Sequence, residues 1–223
     1  MSESKLRDLS IAFLGDSITF GYGLNNKEER YSTLVAHALE MEELNYGITG
    51  TLVAKAGINK TDGKDFLSRA HLIDEPDVAI IFGGTNDYFW SDKPIYGCGD
   101  EYFESAVIKL AERVREKRKG KITLFVTPYP HNGIGNFYGG SDWKESSRHD
   151  TSEKNYNGHT LKEYVDVTVK ICKENDIPCL NLFDDFGFYW QKHTSDGCHP
   201  NEDGHILLAN AVTEKLKTLK LSF

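Results

Sequence analysis

Three short strings, far apart in the sequence, contain the side-chain types that nucleophilic catalysis needs. Residues 15–19 read Gly-Asp-Ser-Ile-Thr, residues 84–87 read Gly-Thr-Asn-Asp, and residues 196–200 read Asp-Gly-Cys-His-Pro. A serine can attack a carbonyl carbon when a histidine takes its proton and a carboxylate orients that histidine. An asparagine amide can donate a hydrogen bond to the negative oxygen that then forms. The strings therefore predict acyl transfer through a serine nucleophile.

Ser17 is the predicted nucleophile. It follows a glycine and an acid at the end of an apolar run, where a helix is expected to begin, and the free N–H groups of a helix N-terminus can bind an oxyanion. Taken alone, this string is also typical of a capping serine in a strand-to-helix turn. It is not the Gly-x-Ser-x-Gly elbow of the α/β-hydrolases, because Thr19 replaces the second glycine. It is not a phosphate loop either, because no Gly-Lys-Ser/Thr follows.

Asp196 and His199 are the predicted orienting acid and general base. Their spacing of three residues can place both side chains on one side of a turn. In isolation, the same residues are typical of a capped helix start with an incidental acid and imidazole. A metal site that joins this histidine to His193, Cys198 and His205 is disfavoured, because the spacing matches no ligand pattern. Cys198 is also a weak candidate nucleophile, because adjacent side chains usually point apart.

Further donors to the negative oxygen are predicted on neighbouring segments. Asn86 follows a buried apolar run and is expected to lie on a loop. Gly50, in the stretch 45–51 (Asn-Tyr-Gly-Ile-Thr-Gly-Thr), could present its backbone N–H to the same oxygen, and Gly57 is a rival for this role. Each of these residues taken alone is typical of a turn.

The elements that must position these residues alternate along the chain. Strands separated by helices predict an α/β fold, with a parallel sheet, right-handed crossovers and helices on both faces. Ligands bind beyond the carboxyl ends of such strands, where two of the three strings lie. Helical periodicity covers residues 34–39, 103–114, 161–172 and 206–219, and more weakly 60–72. Continuous apolar runs predict five buried strands at 11–14, 44–46, 78–82, 122–127 and 178–182.

Taken in order, the strings resemble the SGNH hydrolases, also called the GDSL esterase/lipase family. Residues 15–18 look like the nucleophile block, with isoleucine in place of the commoner leucine. Residues 47–50, 84–87 and 196–200 look like the glycine, Gly-x-Asn-Asp and Asp-x-x-His blocks, and the resemblance extends from residue 11 to about 210. It implies a flavodoxin-like, three-layer α/β/α sandwich with a five-stranded parallel sheet.

The resemblance also implies a role for each site residue. Ser17 would be the nucleophile, His199 the general base and Asp196 the acid that orients it. The backbone N–H groups of Ser17 and Gly50, with the Asn86 side chain, would form the oxyanion hole.

The substrate class is predicted from an irregular segment at about 129–157, which is rich in Gly, Asn, Ser and His. A long loop after a strand is often a lid or binding loop, although it can also be a surface insertion. The expected substrate-binding residues are Asp16, Trp90, Tyr129 and His131. The segment's polar and aromatic character favours short-chain acyl esters, including O-acetyl groups on carbohydrate. The alternatives are an acyltransferase, lipase, lysophospholipase or thioesterase with the same triad, and a non-catalytic ligand-binding module.

Composition limits the class of the protein. The 223 residues are 39% hydrophobic with a net charge of −8, which predicts one globular domain, 1–223, and disfavours nucleic-acid and anionic-membrane partners. Residues 1–8 lack the apolar stretch of a signal peptide, and no run approaches the roughly 18 apolar residues of a membrane span. The four cysteines lack CxxC spacing and predict reduced thiols in the cytoplasm. The predicted chemistry needs no cofactor and no metal, and its expected partner is a small-molecule ester.

Overall fold

A single parallel sheet forms the centre of the molecule. The computed structural model describes residues 9–57, 63–131, 153–184 and 186–219. Its strands lie in the order β2-β1-β3-β4-β5, which is the flavodoxin-like order predicted from the resemblance. The strands are β1 (Ser10–Gly15), β2 (Glu42–Gly47), β3 (Val78–Phe82), β4 (Ile122–Val126) and β5 (Cys179–Leu180).

Helices cover both faces of the sheet, so the fold is the predicted three-layer α/β/α sandwich. Helices α5 and α6 pack together on one face, and α2 and α8 pack together on the other. The helices are α1 (Ser17–Phe20), α2 (Tyr31–Ala38), α3 (Phe66–Arg69), α4 (Thr85–Trp90), α5 (Phe103–Lys117), α6 (Leu161–Glu174), α7 (Trp190–His193) and α8 (Glu202–Thr218).

Alternate residues of each central strand enter opposite cores. In β1, Ile11 and Phe13 pack into the core that contains α2 and α8. Ala12 and Leu14 pack into the core that contains α5 and α6. Because both faces of the strand are covered, its buried side chains are apolar on both faces, which explains why the strands read as nearly continuous apolar runs.

The five predicted strands are confirmed, and their ends differ at the two edges of the sheet. β2 begins at Glu42, two residues before the predicted start, and this side chain is exposed. An edge strand tolerates such a charge because one side of it faces solvent. β5 is shorter than predicted, since only Cys179 and Leu180 pair with β4.

One local prediction is wrong, and a second is confirmed only in part. Asn86 lies in the first turn of α4 and not on a loop, because Gly84 adopts a φ of +113° that starts the helix directly after β3. Of the weak helical pattern at 60–72, residues 60–62 lie outside the described residues, and the rest contains the single turn α3, followed by a 3₁₀ turn, Ala70–Ile73. Asp65 fixes the start of α3 because its carboxylate accepts a 2.8 Å hydrogen bond from the Ser68 N–H.

Most of the irregular 129–157 segment, residues 132–152, lies outside the described residues. Its end is attached to α4 and the loop that follows. Asn155 donates to the Tyr88 carbonyl at 2.8 Å, and Asn157 donates to the Ser91 carbonyl at 2.8 Å. In the part of the chain that the structure describes, no helix has both the length and the apolar character needed to cross a membrane.

Candidate active site

The carboxyl ends of three neighbouring strands bring the predicted site residues together at one end of the sheet. Ser17 follows β1, Gly50 follows β2 and Asn86 follows β3. In this strand order the connections leave β1 and β3 in opposite directions, which opens a crevice at their carboxyl ends. The candidate site therefore lies where an open α/β sheet normally binds its ligand.

Ser17 is the first residue of the short helix α1. The Asp16 carboxylate caps this helix by accepting a 2.9 Å hydrogen bond from the Ile18 N–H. Because the first N–H groups of a helix have no partner within it, the Ser17 N–H is available to another acceptor. Among the described residues it has no hydrogen-bond partner.

Ser17, His199 and Asp196 form a continuous chain of hydrogen bonds. The Ser17 Oγ lies 3.0 Å from the His199 Nε2. The His199 Nδ1 lies 2.6 Å from the Asp196 Oδ2. The hydroxyl can therefore pass a proton to the Nε2 of an imidazole whose Nδ1–H is held by a carboxylate.

The loop before α8 holds the acid and the base in place. Asp196 Oδ1 accepts hydrogen bonds from the Cys198 N–H at 3.0 Å and the His199 N–H at 2.7 Å. Burial by itself would raise the pKa of Asp196, but the bonds from His199 and these backbone N–H groups outweigh it. The pKa of Asp196 is therefore below its ordinary value, and the side chain stays ionised at neutral pH.

Further candidate donors lie on the segments that follow β2 and β3. Gly50 has a φ of +77°, and its N–H has no hydrogen-bond partner among the residues described. The rival Gly57 instead donates its N–H to the Asp92 carboxylate at 3.4 Å. The Asn86 Nδ2 donates to the Thr51 carbonyl at 3.0 Å and to the Asp16 Oδ2 at 3.3 Å.

Two acids beside Ser17 are almost completely buried. Burial raises the pKa of Asp16 to about 6, although the hydrogen bond from the Ile18 N–H partly opposes this shift. Burial raises the pKa of Asp87 to about 7, against hydrogen bonds from the Val53 and Ala54 N–H groups. The carboxylate of Asp16, one of the predicted substrate-binding residues, caps α1 and accepts a hydrogen bond from Asn86.

The other predicted substrate-binding residues form a chain of aromatic contacts. The ring of His131 lies 5.2 Å from Phe89 and 6.1 Å from Tyr129, and Phe89 lies 6.1 Å from Trp90. Tyr129 is buried, and its hydroxyl donates to the Cys198 carbonyl at 2.7 Å. Its polar group therefore supports the loop that carries His199. His131 is also buried, and burial lowers its pKa to about 3, while Trp90 is half-buried.

Tyr22 is a site residue that the sequence did not reveal. Its ring lies 4.5 Å from the His199 ring, and it is 43% exposed, so it covers the base from the solvent side. It reaches this position because α1 ends at Gly21, in a left-handed conformation, and turns the chain back towards Ser17. No local sequence pattern predicts the contact between Tyr22 and His199.

The histidines and the cysteine considered as metal ligands occupy different surroundings. The His193 Nδ1 accepts the Tyr189 N–H at 2.9 Å. The His205 Nδ1 accepts the Tyr31 N–H at 3.1 Å. Burial raises the pKa of the Cys198 thiol well above its ordinary value, which makes it a poor nucleophile.

Comparison with known proteins agrees with this architecture. The family model for the GDSL-like lipase/acylhydrolase family matches residues 13–207. A protein from Lactobacillus plantarum superimposes with a TM-score of 0.77 at 25% identity, over 96% of this chain and 99% of that chain. No curated protein sequence matches this chain.

Two more distant structures share the fold. A structure from Chitinophaga pinensis, described as a possible lipase, has a TM-score of 0.70 at 19% identity, over 96% of this chain and 100% of that chain. A carbohydrate acetylesterase family member from Sinorhizobium meliloti has a TM-score of 0.64 at 18% identity, over 95% and 98%. Because the family model covers most of the sequence, the chain belongs to the GDSL-like lipase/acylhydrolase family of hydrolases.

Proposed function

We propose that the protein is a serine esterase that hydrolyses short-chain acyl esters. Ser17 attacks the ester carbonyl while His199 takes the hydroxyl proton, and His199 then gives this proton to the departing alcohol. The acyl group remains on Ser17 as an ester. A water molecule, deprotonated by His199, attacks that ester and releases the acid, and the proton returns to Ser17.

The hydrogen-bonded chain from Ser17 through His199 to Asp196 is the observation that carries this proposal. Its two contacts, of 3.0 and 2.6 Å, join a hydroxyl, an imidazole and a carboxylate in that order. If Ser17 only capped a helix, it would need no contact with a histidine. If Asp196 and His199 only formed the start of a helix, His199 would need no hydrogen bond to Ser17. The same order of contacts activates serine in unrelated hydrolases.

Three candidate donors support an oxyanion hole. The N–H groups of Ser17 and Gly50 are without partners among the described residues, and each can donate to an oxygen that gains negative charge. Asn86 supplies a third donor from α4. Its bond to Asp16 is the longer of its two bonds, 3.3 Å against 3.0 Å, and we propose that the oxyanion replaces Asp16 as acceptor.

We further propose that the ester substrate has a short acyl group and that its alcohol part is a carbohydrate. The rings of Phe89 and His131 pack against each other beside the strand ends, and Phe89 also contacts the half-buried Trp90. We propose that Trp90 contacts a small or cyclic ligand. The carbohydrate acetylesterase from Sinorhizobium meliloti, which shares the fold, makes O-acetyl groups on sugars the first substrates to test.

The experiment compares the hydrolysis of p-nitrophenyl esters of increasing chain length and of an acetylated sugar. Wild type is expected to prefer acetate to longer esters, and the Ser17→Ala variant is expected to lose nearly all activity. A rate that rises steadily with chain length would remove the short-acyl preference. More transfer than hydrolysis in the presence of a sugar acceptor would favour an acyltransferase.

Ser10→Ala provides a matched control at the other end of β1. The Ser10 hydroxyl donates to the Asp77 carboxylate at 3.3 Å, at the edge of the sheet opposite to Ser17. This variant also loses one serine hydroxyl near the same strand, but it should keep the activity of wild type. Equal activity of Ser17→Ala and wild type would refute the nucleophile assignment.

A further inference from the structure

Arg69, the last residue of α3, is a buried cation directly beneath the candidate site. Its guanidinium donates to three backbone carbonyl oxygens and one hydroxyl. The Nη2 reaches the Gly15 carbonyl at 3.2 Å and the Thr51 Oγ1 at 3.0 Å. The Nη1 donates to the Tyr46 carbonyl, and the Nε donates to the Lys64 carbonyl at 2.6 Å.

These contacts reach each segment that carries a proposed oxyanion donor. Gly15 ends β1, two residues before Ser17. Tyr46 lies at the end of β2, where the loop to Gly50 begins. Thr51 follows Gly50 directly, and its carbonyl accepts the Asn86 amide at 3.0 Å. One side chain thus connects the nucleophile turn, the glycine loop and, through Thr51, the asparagine of α4.

A guanidinium is suited to this role because its donors form a planar fork with fixed directions. Buried carbonyl oxygens at the ends of parallel strands need hydrogen-bond donors. The Gly15 carbonyl already accepts the Ile48 N–H at 3.2 Å, and Arg69 gives it a second donor. Burial lowers the pKa of Arg69 to about 10, against the attraction of Asp16, so the group remains charged at neutral pH.

We propose that Arg69 is a positioning residue that sets the geometry of the oxyanion hole. This inference rests on the esterase function proposed above. Arg69 acts through Gly15, Tyr46 and Thr51 and does not touch the substrate. Because a displacement of about 1 Å at a catalytic group can slow a reaction about 100-fold, its loss should reduce kcat more than it affects KM.

Arg118 is a matched control for the loss of a buried arginine. It is also buried, and burial lowers its pKa to about 10 as well. Its guanidinium donates to the carbonyl oxygens of Pro76 and Ile122 and to the Thr123 hydroxyl, among other acceptors. Pro76, Ile122 and Thr123 lie at the amino-terminal ends of β3 and β4, at the edge of the sheet away from Ser17.

The experiment measures kcat and KM for p-nitrophenyl acetate with Arg69→Met, Arg69→Lys and Arg118→Met. All rates are taken below the unfolding temperature of each variant and divided by the folded fraction. Arg69→Met should lower kcat about 10- to 100-fold with little change in KM, because only transition-state contacts are lost. Arg69→Lys keeps the charge without the fork, and its kcat should also fall.

Arg118→Met should lose stability but keep its kcat within about twofold of wild type. If Arg69→Met does not fold, Thr51→Val removes one acceptor of the fork and should lower kcat without changing KM. Equal kcat values for the Arg69, Thr51 and Arg118 variants would overturn the positioning role while leaving the esterase function intact. A wild-type protein that hydrolyses no ester would instead refute the function, and the inference with it.

Discussion

The amide of Asn86 has two acceptors in the structure, and in the proposed mechanism the oxyanion replaces one of them. Its Nδ2 donates to the carbonyl of Thr51 and to the carboxylate of Asp16. An asparagine that only stabilised the fold would need these two contacts alone. An asparagine that also holds an oxyanion must contribute to the rate of the chemical step.

We therefore expect Asn86→Ala to lower kcat by about 10²- to 10³-fold, the usual effect of losing one oxyanion donor, with KM little changed. Steady-state kinetics with p-nitrophenyl acetate measures both constants. Asn175→Ala is the control, because the Asn175 amide also donates to a carbonyl oxygen, that of Ile171 at 2.8 Å, but at the carboxyl end of α6. A loss of kcat in the control as large as in Asn86→Ala would argue against a role in catalysis.

The residues of the hydrogen-bonded chain could be predicted because each stands in a short string of recognisable type. Ser17, Asp196 and His199 were all found in this way, and the structure places them in hydrogen-bond contact. Tyr22 and Arg69 could not be predicted. Their contacts depend on where α1 ends and where α3 packs, and no residue spacing in the sequence predicts these two features.

Helix α4 is connected to the loop after β2 through Asp87. The Asp87 Oδ2 accepts the Val53 N–H at 2.9 Å, and its Oδ1 accepts the Ala54 N–H at 3.0 Å. These bonds fix Asn86, the preceding residue of the helix, relative to the segment that follows Gly50 and Thr51. The energy of this link depends on pH, because burial raises the pKa of Asp87 to about 7.

The expected direction follows from proton linkage. An acid whose pKa is higher in the folded than in the unfolded protein stabilises the fold below its unfolded pKa, near 3.9, and this contribution is lost as the pH rises through the folded value. The free energy of unfolding of wild type minus that of Asp87→Asn should therefore be larger at about pH 5 than at about pH 8.

Urea unfolding of both proteins at the two pH values measures this difference. Asp16 also has a raised pKa and is present in both proteins. Because its charge also raises the pKa of Asp87, the subtraction reports Asp87 together with its interaction with Asp16. A difference that does not change with pH would mean that the Asp87 carboxylate is not penalised by burial.

Helix α4 also shows why some elements could not be predicted. It has only six residues, Thr85–Trp90, which is less than two turns and too short for a helical period to be recognised. The long helices α5 and α6 were predicted because an apolar face repeats along their length. β2 and β5 were found with shifted ends, because edge strands are only partly covered and their apolar runs are interrupted.

The order of the strands determines where the site lies. β1 and β3 are neighbours in the sheet, yet their connections run to opposite sides. The carboxyl ends of these two strands therefore carry Ser17 and Asn86 to one crevice, and the loop before α8 brings His199 to it. All five strands belong to one sheet, which is consistent with a single domain over 1–223, although this division remains a prediction.

The architecture could be predicted because the alternation of strands and helices leaves few topologies. The substrate could not be predicted in the same way. Residues 132–152, most of the 129–157 segment on which the substrate prediction depends, lie outside the described residues. The series of p-nitrophenyl esters therefore tests the proposed preference for short acyl groups.

Covalent labelling of Ser17 tests the proposed mechanism most directly. An alkyl fluorophosphonate reacts with an activated serine and forms a stable adduct, which peptide mass mapping locates. We predict a single adduct on the peptide that contains Ser17, labelling that is much slower in His199→Ala, and no labelling of Ser17→Ala. An unlabelled Ser17 in a protein that still hydrolyses esters, or an adduct on another residue, would contradict the mechanism.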